Sequence, residues 1–163
     1  MTGSRRLLIV GGLLLAIWGM SYGLWYAVFA EHQALDSIGA SLATSFSSAA
    51  QGKLPEAQSA ISNYKMAKFV YDRQVDAHSH WIGLAMLLIV LGIAFDRVGI
   101  AEPRRFLLAL SLLLGAFLFP LGVLLETIFS PAVGRAIAVV GSALVIVPLT
   151  VIIVGVARSR IAK

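Results

Sequence analysis

The chain contains no cysteine, and charged residues make up only 13% of its 163 residues. Without thiols, a disulfide framework, a thiolate nucleophile and a cysteine-ligated cluster are all excluded. So little charge cannot cover the surface of a soluble domain, since such domains carry about 25% charged residues. Hydrophobic residues instead reach 59%, and the mean hydropathy is +0.89. The composition therefore predicts an integral membrane protein.

Motifs of catalysis are missing as well. The sequence has no glycine-rich nucleotide-binding loop, no nucleophile elbow and no metalloprotease helix. Its basic residues are scattered, without the aromatic-interleaved patch that is typical of nucleic-acid binding, so we expect no nucleic-acid partner. The centres of the apolar segments hold no charged residue, which leaves transport through a single copy without support. These absences favour a subunit or accessory protein over a free-standing enzyme or pump.

Four apolar segments are long enough to cross a membrane, because a helix needs about 20 residues to span a hydrocarbon core of about 30 Å. They cover residues 7–30, 79–97, 106–126 and 136–157. Helices satisfy every backbone group within lipid, so the sequence predicts an all-α, up-and-down bundle of four transmembrane helices within a single domain, 1–163. The first segment exceeds the about 7–15 apolar residues of a signal peptide, and we expect it to be retained.

Basic residues indicate the orientation of the bundle. Eight of them lie on the side of the termini, where the connections are short: Arg5, Arg6, Arg97, Arg104, Arg105, Arg158, Arg160 and Lys163. Short loops that are rich in Lys and Arg stay in the cytoplasm. We therefore expect both termini on the cytoplasmic side of a bacterial-type inner membrane, and the long connection 31–77 on the periplasmic side.

That connection has the pattern of two amphipathic helices on either side of a turn at 51–55. Its apolar residues recur every three or four positions. They are Leu35, Ile38, Leu42, Phe46 and Ala49 before the turn, and Ala57, Ala60, Ile61, Tyr64, Ala67, Val70, Tyr71 and Val75 after it. No strong helix breaker separates either helix from its membrane span, so we expect a helical hairpin that projects about 30 Å from the bilayer. Its apolar stripes must pack against each other or against a partner, because isolated helices are marginal in water.

All three histidines, His32, His78 and His80, lie near the outer ends of the first two spans. On a helix, His78 and His80 point about 200° apart and cannot chelate one ion together. Asp76 and His80 are four residues apart and share a face. Counting residues away from the hairpin turn places His32 opposite roughly Arg73.

The same count places Trp25 opposite roughly His80, within about one turn. Glu126, at the outer end of the third span, shares a face with small residues that pack closely against neighbouring helices: Ser111, Gly115 and Gly122. We therefore expect His80, His32, Asp76 and Glu126 to converge at one depth. His78 is the weaker candidate.

Two imidazoles and two carboxylates are suited to copper or zinc. The imidazoles could equally bracket a haem iron, and a carboxylate with a histidine could serve a quinone or a proton path. A simpler interpretation is that these residues cap helices, form ion pairs and meet lipid headgroups. Tyr22 and Trp25 could wall a cofactor, although aromatic residues at this depth are typical of the interfacial belt.

The fourth span carries a seam of small and apolar residues for helix packing, either within the bundle or against another subunit. Its members are Ala138, Gly141, Val145, Pro148, Ile152 and Gly155. The expected partners of the protein are therefore the lipid bilayer and either other membrane subunits or further copies of the chain.

Residues 76–86 read Asp-Ala-His-Ser-His-Trp-Ile-Gly-Leu-Ala-Met. This stretch resembles the His-x-His helix openings of small bacterial membrane proteins of unknown function and, distantly, those of proteins similar to haem-copper oxidase subunit I. The resemblance implies respiratory metal or haem chemistry, with His78 and His80 as ligands. It favours a small subunit or accessory protein of a membrane redox complex. The alternatives are a structural protein that docks a partner through the hairpin, and a channel or transporter built from several copies.

Overall fold

The structure, a computed structural model, describes residues 2–161, and the side chains of residues 2–157. In this part of the chain there are five α-helices: α1 (Gly3–Phe29), α2 (Glu31–Ala50), α3 (Leu54–Ala94), α4 (Glu102–Ile128) and α5 (Pro131–Ile161). A single turn of 3₁₀ helix, Phe95–Arg97, follows α3. Lys163 and the side chains of Arg158 and Arg160, which were used to orient the chain, lie outside the described residues. The all-α class is confirmed.

Four of the helical segments are long and apolar enough to cross a membrane: Gly3–Phe29, Leu54–Arg97, Glu102–Ile128 and Pro131–Ala157. The chain thus fits a multi-pass membrane protein. The helix α3 is unbroken for 41 residues, so the second arm of the hairpin and the second span form one helix, as predicted. The turn predicted between the two arms is present, where Gly52 takes a φ of +72° that glycine adopts without steric cost.

The other arm is interrupted at a single residue. The helix α1 ends at Phe29 and α2 begins at Glu31, because Ala30 has a φ of −123°, outside the helical range. The expectation of one continuous helix is wrong at this point. Alanine has the highest helix propensity of all residues, so local preference does not explain the interruption.

The closest helix contact joins α4 and α5. A Cβ atom added at Gly122 would lie 2.7 Å from Ala138 Cα, and one at Gly141 would lie 2.7 Å from Phe119 Cα. Such distances are shorter than any real contact of a Cβ atom, so only glycine permits this approach. The seam that the sequence predicts in the fourth span faces α4, within this bundle, and its residues Ala138, Val145 and Ile152 are buried.

The hydrophobic core lies where α1, α3 and α4 meet, and α5 packs along the outside of α4. The largest fully buried side chains there are Trp81, Phe95, Leu8, Leu88 and Leu112. At the outer end, α2 and the first half of α3 pack on each other through smaller residues: Ser45, Ala57 and Ala60. The two ends of the molecule therefore differ in how much apolar surface they bury.

Polar contacts tie the start of α1 to the start of α4. The backbone N–H and the hydroxyl of Ser4 both donate to the carboxylate of Glu102 at 2.9 Å. The first N–H groups of a helix lack intrahelical partners, so Glu102 supplies from another helix what a capping residue normally supplies. Arg105 binds Glu102 at 2.9 Å, and Thr2 donates to Asp96 at 2.6 Å. These contacts fix the terminal side of the bundle.

Candidate functional site

His78 lies between α1 and α3, with a half-buried imidazole. Its Nδ1 lies 2.9 Å from the carbonyl oxygen of Gly19. A carbonyl only accepts hydrogen bonds, so Nδ1 is the donor in this contact. Gly23 makes room for the ring, because a Cβ atom there would lie 2.8 Å from His78 Nε2 and closer still to other ring atoms. The imidazole thus occupies a notch formed by two glycines of α1.

One turn away, Tyr22 donates a hydrogen bond to the side-chain oxygen of Gln74. The Tyr22 ring also packs against Trp81 and Trp25, with centroid distances of 5.3 Å and 5.8 Å. Trp25 itself is 51% exposed, and it lines a cleft of about 280 Å³ with Gln74 beside the interruption at Ala30. This volume is at the lower limit for a ligand pocket, about 300–1,000 Å³. The contacts of Tyr22 join α1 to α3, and a role for Tyr22 and Trp25 in cofactor binding stays a prediction.

Trp81 fills the centre of the bundle and has no exposed surface. Its indole N–H donates to the carbonyl of Phe117 at 3.2 Å. This carbonyl lies next to that of Ala116, which loses its usual donor because residue 120 is a proline without an N–H. The buried indole N–H therefore finds its acceptor next to the place in α4 where the series of backbone hydrogen bonds is already interrupted.

His80 lies on the opposite, exposed side of α3. Its Nδ1 donates to the backbone carbonyl of Asp76 at 2.6 Å, and the edge of its ring meets Phe119 at a centroid distance of 4.9 Å. The two residues share a face as predicted, but the contact uses the backbone of Asp76. The Asp76 carboxylate lies 3.4 Å from Arg73 instead. His80 Nε2 makes no hydrogen bond with the residues that the structure describes, and its side chain is exposed.

Glu126 is directed inward, and only 12% of its side chain is exposed. Its carboxylate lies 3.6 Å from Nε of Arg73, which also stacks over the ring of Phe69 at 5.3 Å. Arg73 therefore links Asp76 to Glu126 and compensates both charges. A carboxylate this deeply buried requires such a partner, since an unpaired charge is strongly disfavoured.

His32 is exposed at the start of α2. Its neighbour Glu31 accepts a hydrogen bond from Tyr71 at 3.5 Å, so His32 lies at about the predicted level along α3. Trp25 lines a cleft with Gln74, so it lies closer to the hairpin turn than the position predicted roughly opposite His80. Contacts on both sides of Ala30 keep one register with α3, since Gly23 of α1 meets His78 and Glu31 of α2 meets Tyr71. The two arms therefore advance equally across Ala30, and the count from the hairpin turn is displaced by about one helical turn along α1.

The four predicted ligands are not brought together. Asp76 and Glu126 meet through Arg73, whereas His80 and His32 lie apart on exposed surfaces. Within residues 2–161, no group of three His, Asp or Glu side chains could hold a metal ion. Metal or haem binding thus stays a prediction from the sequence.

Sequence reasoning missed the notch that holds His78 and the role of Arg73. Gly19 and Gly23 are four residues apart, which is the small-xxx-small pattern of closely packed membrane helices. This pattern in the sequence indicates where α1 has room for a neighbouring group. No comparable pattern in the sequence pairs Arg73 with Glu126, which lie on different helices.

Comparisons with protein families, with curated proteins and with solved structures found no match to this chain. Its function therefore has to be argued from the arrangement of its own side chains.

Proposed function

We propose that the protein is a small integral membrane subunit or accessory protein that binds another protein through its helical hairpin. We define the hairpin as α2 together with the first half of α3. The observation that carries this proposal is the packing of the hairpin. The side chains buried in it are small, whereas Phe46 of α2 is 69% exposed.

The exposed apolar residues of α2 lie on one face. Leu35, Leu42 and Phe46 are separated by seven and four residues, which places them in line along a helix. Their side chains are 45%, 39% and 69% exposed. We call this set the α2 stripe. It lies outside the apolar spans, so lipid does not cover it in the proposed topology, and an uncovered apolar patch of this kind marks an interaction surface.

The spacing of the α2 stripe suits a helix of the partner, laid along α2 with its apolar face inward. The helix α2 contains Glu31 and Asp36 but no lysine or arginine. The flanks of the partner helix are therefore expected to be basic or neutral, because like charges across an interface are unfavourable.

The proposed topology puts both termini in the cytoplasm of a bacterial-type inner membrane and the hairpin on the periplasmic side. The excess of Lys and Arg on the terminal side supports it. Arg5, Arg104 and Arg105 lie at the starts of α1 and α4, and all three belong to that side. This topology exposes the α2 stripe to a partner in the periplasm or to the outer part of a neighbouring membrane subunit.

The proposal that the partner belongs to a respiratory complex rests on the resemblance of residues 76–86. One observation in the structure favours it. The Nδ1–H of His80 is held by a backbone carbonyl, and its Nε2 is exposed. Histidines that bind metals commonly hold their second nitrogen in this way. His80 could thus contribute one ligand to a haem or metal ion whose other ligands come from the partner. The optical spectrum and metal content of the purified complex, before and after His80→Ala, test this assignment.

The docking proposal is tested by Phe46→Ser in the full-length chain, expressed in its native membrane and purified in mild detergent. A stoichiometric partner should be lost, with an increase of at least about tenfold in the dissociation constant, as expected for a central aromatic contact. Phe129→Ser is the matched control, because Phe129 is 76% exposed between α4 and α5, outside the hairpin.

Equal loss of the partner in both variants would show that the α2 stripe is not the docking surface. The chain has no native cysteine, so a single cysteine at position 46 gives a site-specific crosslinking probe. Crosslinks from position 46 should reach a second protein. Crosslinks only to a second copy of this chain would replace the proposed partner by a homodimer, and crosslinks only to lipid would overturn the proposal.

A further inference from the structure

A groove runs between α4 and α5, on the terminal side of their glycine contact, and it encloses about 710 Å³. Large apolar side chains form its walls: Leu107 and Leu108 from α4, and Leu144, Val147 and Val151 from α5. We call it the α4–α5 groove. It is a different surface from the hairpin, and it plays no part in the function proposed above.

The groove follows from where the glycines lie. Gly115 and Gly122 bring the two helices together, and a Cβ atom at Gly115 would lie 2.7 Å from the carbonyl oxygen of Gly141. From Ser111 to the start of α4 there is no further glycine, and the helices separate. Ile100 packs near Gly155 and lines the terminal end, since a Cβ atom at Gly155 would lie 3.2 Å from its Cδ1.

The interior of the groove offers no free hydrogen-bonding group. The hydroxyl of Ser111 donates to the carbonyl of Leu144 at 3.0 Å and is already satisfied. Arg104 lies at the terminal end of the groove, exposed. Its side chain makes no hydrogen bond or ion pair with any residue that the structure describes. The groove is thus an apolar channel with one unpaired cation at its mouth.

The length of the groove matches one leaflet of a bilayer. Its α5 wall runs from Val140 to Val151, about 16 Å at 1.5 Å per residue, and half of a hydrocarbon core is about 15 Å. Arg104 lies at the terminal end of the groove, at the level of the lipid headgroups in the proposed topology. The same side of the molecule carries Arg5, Arg6 and Arg97.

We propose that the α4–α5 groove binds an acyl chain of a phospholipid whose anionic headgroup pairs with Arg104. Guanidinium groups bind phosphate through two parallel hydrogen bonds, and basic pockets between membrane helices recognise anionic lipids. A quinone ring fits the interior poorly, because its carbonyls would find no donor among these side chains. A helix from a second copy is the competing occupant.

Native mass spectrometry of the detergent-purified full chain tests this proposal, with dioleoyl phosphatidylglycerol and dioleoyl phosphatidylcholine as probes. The two lipids have the same acyl chains and differ in headgroup charge. We expect the anionic lipid to bind about fivefold more tightly, the factor that corresponds to about 1 kcal/mol for one basic residue near an anionic surface. Arg104→Gln should abolish this preference. Arg97→Gln removes the same charge on the same side, at a residue that does not line the groove, and should retain the preference.

Ala143→Trp fills the groove and should weaken the binding of both lipids, whereas Ala136→Trp, on the same helix outside the groove, should not. If Ala143→Trp fails to fold, the comparison of Arg104→Gln with Arg97→Gln decides alone. A preference that persists in Arg104→Gln, or unchanged lipid binding in a folded Ala143→Trp, would overturn the proposal. A wild-type dimer that Ala143→Trp dissociates would identify the occupant as a second copy instead.

Discussion

The α4–α5 pair and the outer part of the α1–α3 pair both approach each other at glycines, but these glycines make room for different groups. At Gly122 and Gly141 the neighbouring atoms belong to the backbone of the opposite helix. At Gly23 they belong to the imidazole of His78. At these glycines one pair is in direct backbone contact, whereas the other encloses a polar side chain.

This difference separates a packing surface from a candidate site. The backbone contact between α4 and α5 leaves no side chain between the helices at that level. Between α1 and α3, the Nδ1–H of His78 is bound to Gly19, and Tyr22 is bound to Gln74. Polar groups within the apolar part of a membrane protein are costly, so those present are retained for packing specificity or for function. Substitutions at the glycines distinguish these two arrangements.

The largest effect is expected for Gly122→Ala. Its Cβ atom would meet the backbone of Ala138, which cannot rotate away, so the two helices must move apart. We expect a loss of about 1–3 kcal/mol or more, as for other overpacked interiors. Reversible unfolding in mixed detergent micelles measures it.

Gly83→Ala is the control for this substitution, because no atom lies within 4 Å of the Cβ position at Gly83. It adds the same methyl group to a helix and should leave the unfolding midpoint unchanged or slightly higher. If both variants unfold at the same point, the contact at Gly122 does not hold α4 against α5.

A smaller effect is expected for Gly23→Ala, and a second substitution at His78 should compensate part of it. Its Cβ atom would displace the ring of His78, and the hydrogen bond to Gly19 would be lost, at a cost of about 1 kcal/mol. His78→Ala should cost a similar amount. The double variant should be more stable than the sum of the two losses predicts, because the new methyl group then occupies space that the ring has left. Strictly additive losses in the same unfolding assay would contradict a shared contact.

Much of the fold was predictable from the sequence. Apolar periodicity and length predict the four long helices, and the small residues at 111, 115 and 122 predict the face of α4 that α5 covers. These signals are local, because each depends on residues of a single helix. The turn at 51–55 is local as well, since its glycine and proline act on their own backbone.

The candidate site was less predictable because it depends on register. Periodicity decides which side of a helix a residue occupies, but it does not decide how far one helix slides along another. Counting from the turn places Gly23 opposite about residue 82, whereas Gly23 meets His78, about one turn away. The partner of Asp76 was missed for a different reason. Arg73 of the same helix forms an ion pair with its carboxylate, whereas His80 binds its backbone carbonyl.

The smallest effect is expected for Gly39→Ala, in the middle of α2. No atom lies within 4 Å of its Cβ position, so the methyl group meets no neighbour in the isolated chain. Alanine should stabilise α2 by about 0.5–1 kcal/mol, because glycine loses more backbone freedom in a helix. Hydrogen exchange at the amides of α2 should slow by about two- to fivefold, if these amides exchange through local opening of the hairpin.

The same variant bears on the proposed partner. A glycine with open space on an exposed helix also permits close approach of another helix, as Gly122 does for α5. If Gly39→Ala slows exchange in the free chain and leaves the complex intact, the partner contacts α2 only through the stripe that contains Phe46. If it slows exchange but weakens the complex, the partner helix must approach α2 at Gly39, and the docking surface extends around the helix to include it.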